Sequence, residues 1–131
     1  VAILGENSAR GLLYLRSERV CERCGLARAT NAHHRNAAGR VWEVWNLLDL
    51  CGSGTTGCHG FVTCGEVALA RRYGWVVRRE HDALWVPVLV ATRHGLRWCY
   101  LTRDGQRAPI RDTSSLPSPR GAFPDIPAIR A

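Results

Sequence analysis

Asn46-Leu47-Leu48-Asp49-Leu50-Cys51-Gly52-Ser53-Gly54-Thr55-Thr56-Gly57-Cys58-His59-Gly60 is the stretch on which the reading of the fold turns. Asn46 to Leu50 reads as a strand that ends at Cys51, and a glycine-rich loop then holds Cys51 and Cys58 apart. Behind His59-Gly60, residues 61–73 have helical periodicity. Phe61, Val62, Leu69 and Tyr73 mark one face, and Gly74 is the stop. Strand, thiol pair, imidazole and helix therefore follow one another without a break.

A second pair of thiols stands upstream in Cys21-Glu22-Arg23-Cys24-Gly25, a C-x2-C-G knuckle. Its turn exposes backbone N–H groups to both sulfurs, and Gly25 permits the positive φ that closes it. Two such pairs separated by a folded stretch are what a tetrahedral structural Zn²⁺ needs, with Cys21, Cys24, Cys51 and Cys58 as ligands. The wider spacing of the second pair is no obstacle, because a flexible loop can close it. Disulfides or a thioredoxin-type redox pair are the competing readings, but no βαβ pattern accompanies the C-x2-C. Gly52, Gly54 and Gly57 also spell G-x-G-x-x-G; lacking an acidic ribose partner in a βαβ unit, they read as a spacer in the zinc loop. Cys64 and Cys99 read as small buried side chains, with Cys64 a rival ligand.

Composition narrows the function. The 131 residues suffice for one domain, and the net charge is +7. All eighteen basic residues are Arg, so a Walker-type phosphate loop and Schiff-base lysine chemistry are both excluded. Residues 1–40 carry seven Arg against three acids, residues 41–70 no Arg and three acids, and residues 71–107 eight Arg against three acids. Bound cations would offset the acidic middle, and the two cationic arms could face a polyanion. The opening Val1-Ala2-Ile3-Leu4 has no basic n-region, and no apolar run is long enough to span a membrane, so a cytoplasmic protein is expected.

The remaining chain is read as follows. A short helix is expected over about 9–17, with Asn7 or Ser8 as N-cap, although Leu12-Leu13-Tyr14-Leu15 fits a strand equally well. Residues 28–34 are extended and lead into His33-His34-Arg35, and Val41 to Trp45 is either a short helix or a strand. Trp75-Val76-Val77 is a strand, and 85–91 with 96–101 forms a hairpin around Arg93-His94-Gly95. The Pro-rich stretch 108–131 reads as a flexible tail or one that docks on a partner.

Adjacent side chains on a strand point to opposite faces, so one imidazole of His33-His34 can hold a metal while the other faces a substrate. His59, at the start of a helix, lies where N–H groups and the macrodipole favour a phosphate. A divalent ion on His33 and His59 would polarise a phosphodiester, and a neutral His34 could activate water as general base. Asn46, donor at one end and acceptor at the other, can tie loop to loop and orient that base. Arg35 is a candidate phosphate clamp, with Arg71 and Arg72 behind it. His81 and His94 read as surface residues.

The order Cys-x2-Cys, His33-His34, Asn46-Leu-x-x-Leu-Cys51 and Cys58-His59-Gly60 resembles the HNH endonucleases, and the Cys-Gly-Ser-Gly-Thr-Thr-Gly-Cys-His-Gly variant is similar to HNH proteins of actinobacterial phages. The resemblance covers about residues 18–106. It implies an α+β fold: a zinc-stapled ββα-metal core over 18–74 (preceded by the helix or arm of 1–17), extended by a small antiparallel sheet over 75–107. It implies His34 as base, Asn46 as the N of the name, and His33 and His59 as ligands of a catalytic divalent metal. Some members carry a third ligand one turn beyond the Cys-His; Thr63 occupies that position here. Two imidazoles plus water and phosphate oxygens suit Mg²⁺, Mn²⁺ or another transition metal. The implied substrate is double-stranded DNA, cut to 5′-phosphate and 3′-hydroxyl ends, and the implied setting is phage genome packaging beside a terminase. The rival reading is a catalytically silent zinc-ribbon module that binds DNA or protein.

Overall fold

The computed structural model describes residues 5–129; Val1–Leu4, read above for a leader, lie outside them. Helix α1 (Glu6–Ser17) opens the chain, followed by the Cys21–Cys24 knuckle and an antiparallel ribbon of β1 (Asn31–His34) and β2 (Leu47–Leu50). Helices α2 (Gly57–Cys64) and α3 (Val67–Arg72) come next. The strands β3 (Val88–Thr92), β4 (Gly95–Leu101) and β5 (Arg107–Pro109) then form an antiparallel meander in that order. The fold is mixed α and β with two small antiparallel sheets. Among the described residues, no helix is long and apolar enough to cross a membrane.

Strand β2 is buried on both faces, and its alternation divides the interior. Leu47 joins Ala9, Leu13 and Val44 under α1. Leu48 and Leu50 turn the other way, into a larger cluster containing Cys21, Cys24, Cys58, Val62, Trp75 and residues of the β3–β4 sheet. Tyr73 stacks at 5.3 Å on Trp75 and 5.9 Å on Trp98, while the Trp75 indole donates to the Leu89 carbonyl.

The two clusters are joined by buried charge. Glu22 is fully buried and accepts both Nε and Nη2 of Arg16 at 2.9 Å, Nη2 of Arg107 at 2.8 Å, and the Asp49 amide at 2.9 Å. Burial pushes its carboxyl up, but the two guanidinium groups outweigh burial and hold it below its usual value. Arg16 also donates to the carbonyls of Val44 and Leu47, so one guanidinium ties α1 to the entry of β2.

Several expectations are corrected. The helix expected over 61–73 begins at Gly57 and breaks at Gly65-Glu66, giving α2 and α3. Trp75-Val76-Val77 is not a strand: the amides of Trp75 and Val76 fold back onto the Ala70 carbonyl, and that of Val77 binds Arg35. The hairpin forms, but Trp85 belongs to a 3-10 turn (Ala83–Trp85) ahead of β3. Gly5, rather than Asn7 or Ser8, caps α1. Cys99 is buried as expected, whereas Cys64 is exposed. Finally, the Pro-rich stretch packs on the chain's own core. Ala122 and Phe123 are buried, and the Tyr73 hydroxyl donates to the Ser118 carbonyl at 2.7 Å.

Replacing Glu22 by Gln leaves the buried Arg16 side chain, and the partly buried Arg107, without their counter-charge. The expected loss, read from denaturant midpoints, is about 3–5 kcal/mol.

Candidate functional site

The four sulfurs of Cys21, Cys24, Cys51 and Cys58 lie within 4.8 Å of one another, with Cys24 and Cys51 at 4.0 Å. A tetrahedral Zn²⁺ with bonds of about 2.3 Å would hold its sulfurs about 3.8 Å apart, so the cluster fits that ion with little adjustment. The knuckle forms as read: the Cys24 amide approaches the Cys21 sulfur, the Leu26 amide donates to Cys24, and Gly25 takes φ +67°. A Cβ at Gly25 would stand 2.8 Å from that of Ala91, so glycine also lets the knuckle lie against β3. The loop of the second pair closes on itself through paired Ser53 and Thr56 backbone bonds, and the Cys58 amide donates to the Cys51 sulfur.

The crowded thiols perturb one another's ionisation. Hydrogen bonding with Cys24 pushes the Cys21 thiol up to about 12, and the bond from Cys21 in turn draws Cys24 far down. Its neighbouring sulfurs, then burial, push Cys58 up as well. Arg23, buried between the rings of Phe61, Trp75 and Phe123, donates to the Cys58 sulfur at 3.3 Å and pairs with Asp125 at 2.7 Å. It anchors the C-terminal stretch to the cysteine site.

A cleft of about 730 Å³ opens beside this cluster, and His33, His34 and His59 all line it. The rings of His33 and His59 meet edge to face at 5.3 Å, whereas His34 stands edge-on to Trp42 at 4.5 Å. The alternation of β1 thus separates the adjacent imidazoles as expected. His33 Nε2 lies 2.8 Å from the Trp75 carbonyl, which must accept from an N–H, so the ring lone pair is on Nδ1. The His59 Nδ1 and His34 Nε2 atoms are buried without a hydrogen-bond partner. Orphaned imidazole nitrogens in a cleft fit a site for an ion or a substrate proton. His33 and His59 would be the ion's protein ligands.

Burial drives the His33 pKa down to about 4, outweighing its bond to Trp75. Burial lowers His34 too, helped by the charges of Arg40 and Arg10, and burial lowers His59. All three imidazoles are neutral at pH 7, the state that binds metal or accepts a proton.

Asn46 ties loop to loop as read, but through a neighbouring asparagine and without touching His34. Its Oδ1 accepts the Asn36 amide at 2.9 Å, and its Nδ2 donates to the Asn36 carbonyl at 3.0 Å.

The expected phosphate-gripping arginines divide three ways. Arg71 lines the cleft, and Arg72 is exposed outside its lining. Arg35 is no clamp, because its side chain is spent on the fold. It is fully buried, donating Nε to Gly74, Nη1 to Trp45 and Ala83, and Nη2 to Val86, carbonyls all. Burial pushes its guanidinium down to about 9, so it remains charged at pH 7. The cleft instead acquires Arg10, Arg40, Arg78 and Arg79, which sequence reasoning passed over. Arg78-Arg79 is a doublet like Arg71-Arg72 and offered the same signal. Arg10 and Arg40 come from distant segments and offered none.

Compared with protein-family models, curated proteins and solved structures, the chain matches none of them.

Two outcomes follow. Purified protein should carry one zinc per chain by metal analysis, and Cys21→Ser should lose both the zinc and the cooperative unfolding transition. For His33, folded pKa about 4 lies below the unfolded 6.5, so the unfolded chain takes the proton first. Its contribution is complete above pH 6.5 and falls by about 1.4 kcal/mol per pH unit towards pH 4. Without added divalent ions, the stability difference between wild type and His33→Gln should shift in that window and stay constant above it.

Proposed function

We propose that the chain is a metal-dependent endonuclease of HNH type that hydrolyses phosphodiester bonds in double-stranded DNA. The observation that carries the reading is the convergence of three neutral histidines in one cleft rimmed by arginines. Two rings pair at 5.3 Å and the third stands apart against Trp42. Zn²⁺ on the four cysteines would have a purely structural part. It would staple the knuckle to the loop ahead of α2 and so fix His59 beside His33 in a domain too small to hold such a site rigid unaided.

A divalent ion on His33 and His59 would supply Lewis-acid stabilisation for the phosphorane and the departing 3′-oxygen. The residues do the rest. The Trp75 carbonyl fixes the His33 tautomer. His34, kept neutral by burial and nearby arginines, takes a proton from the attacking water. Trp42 bounds that imidazole on one side, and Arg10 lies over the indole at 4.7 Å. Arg71 on the opposite segment gives a DNA backbone a cationic contact. The ligand set of two imidazoles, with Thr63 at the cleft wall, suits Mg²⁺ or Mn²⁺ completed by water and phosphate oxygens.

Supercoiled plasmid incubated with Mg²⁺, Mn²⁺ or Ni²⁺ is the direct assay. Wild type should yield nicked or linear DNA, and His34→Ala should lower the rate by about 10²–10⁴-fold while retaining its zinc. Equal cleavage by both proteins would remove His34 from the mechanism. A zinc-loaded wild type that binds DNA without cutting it would leave the zinc-ribbon reading in its place.

A further inference from the structure

The turn at 78–81 stands at the cleft rim, and the sequence gives no reason for it to be rigid. Yet the His81 amide closes it onto the Arg78 carbonyl at 3.0 Å, and one side chain then locks it from outside. Asn36 Nδ2 donates to the His81 carbonyl at 2.8 Å, to that of Arg78 at 3.2 Å and, more distantly, to that of Arg79 at 3.5 Å. The other end of the same amide, Oδ1, accepts the Ala38 amide at 3.0 Å. Asn36 is in turn gripped at its own backbone N–H and C=O by Asn46. A second tether runs alongside: the Val77 amide donates to the Arg35 carbonyl at 2.8 Å, and Arg35 Nε donates to that of Gly74. The segment carrying Arg78 and Arg79 is therefore fastened to the two residues that follow His34.

Arg78 and Arg79 line the cleft and, among the described residues, make no ion pair. Glu80 shares the turn and the lining, so the turn keeps one net positive charge. Holding the backbone of this turn removes its share of the ordering cost when the unpaired guanidinium groups grip a phosphate, leaving only the side-chain rotamer cost.

We propose that the turn Arg78–His81 is a phosphate-binding element of the cleft, and that Asn36 is its positioning residue, coupling the DNA backbone's seat to the strand that carries His34. The assignment rests on the endonuclease reading for its ligand, a DNA backbone, but its test is binding alone. Fluorescence anisotropy of a short labelled duplex, without added divalent ions, gives affinity against salt. Arg78→Gln with Arg79→Gln should weaken binding about tenfold and reduce the slope of log K on log salt by about 1.8, for two phosphate contacts. Asn36→Ala removes no charge, yet should weaken binding severalfold in the wild-type background and add nothing once both arginines are gone. An unchanged salt slope in the arginine variant, or an Asn36→Ala loss that persists without the arginines, would overturn the proposal. All three variants should remain folded, with zinc content unchanged, at the assay temperature. A wild type that shows these binding effects but never cuts plasmid supports the clamp and refutes the endonuclease. A wild type that cuts while its salt slope ignores Arg78 and Arg79 refutes the clamp alone.

Discussion

Four sulfur atoms held within 4.8 Å of one another are the constraint from which the rest of the molecule follows. Four thiolates at that separation cannot all be ionised in a buried setting unless a cation sits among them. Arg23 brings one positive charge to Cys58, which partly offsets that of the sulfurs, and a dication on the four ligands offsets more. The geometric consequence is larger than the electrostatic one. Cys21 and Cys24 belong to the knuckle, Cys51 follows β2, and Cys58 lies in the first turn of α2. Closing the cluster therefore fixes β2 against α2, and with them His33 on the partner strand and His59 one residue beyond Cys58.

The second organising force is buried charge, added to the apolar core. Arg16, Arg23 and Arg35 are each assigned to carboxylates, a sulfur or backbone carbonyls. Each such guanidinium joins segments distant in sequence, and removing it would leave several acceptors unpaired at once. Two groups of arginines thereby stand out in the cationic sequence. One holds the fold together, and the other, Arg10, Arg40, Arg71, Arg78 and Arg79, is set around the histidine cleft.

That division explains what could and could not be read beforehand. The four-cysteine cluster is legible because C-x2-C-G and the Cys51–Cys58 loop are local patterns whose spacing suits one coordination geometry. The two sides of His33-His34 were legible because strand alternation has period two. Arg35 was not, since nothing local announces that four carbonyls from three later segments will surround it. Gly65 reads as part of one helix because a single glycine is tolerated within helical periodicity. Trp75-Val76-Val77 has strand composition but is diverted by local bonds back to Ala70 at the end of α3 and by a tertiary one to Arg35. The Pro-rich stretch carries too few apolar residues to announce docking, yet Phe123 and Asp125 find their partners in the Arg23 side chain.

The account depends most on an ion held by the paired imidazoles, separately from the zinc. Electron paramagnetic resonance of Mn²⁺ titrated into zinc-loaded protein measures this without reference to turnover. It should give one bound Mn²⁺ per chain, lost in His33→Ala and in His59→Ala while the zinc content stays constant. A wild type that leaves Mn²⁺ free, or variants that bind it as wild type does, would contradict the account.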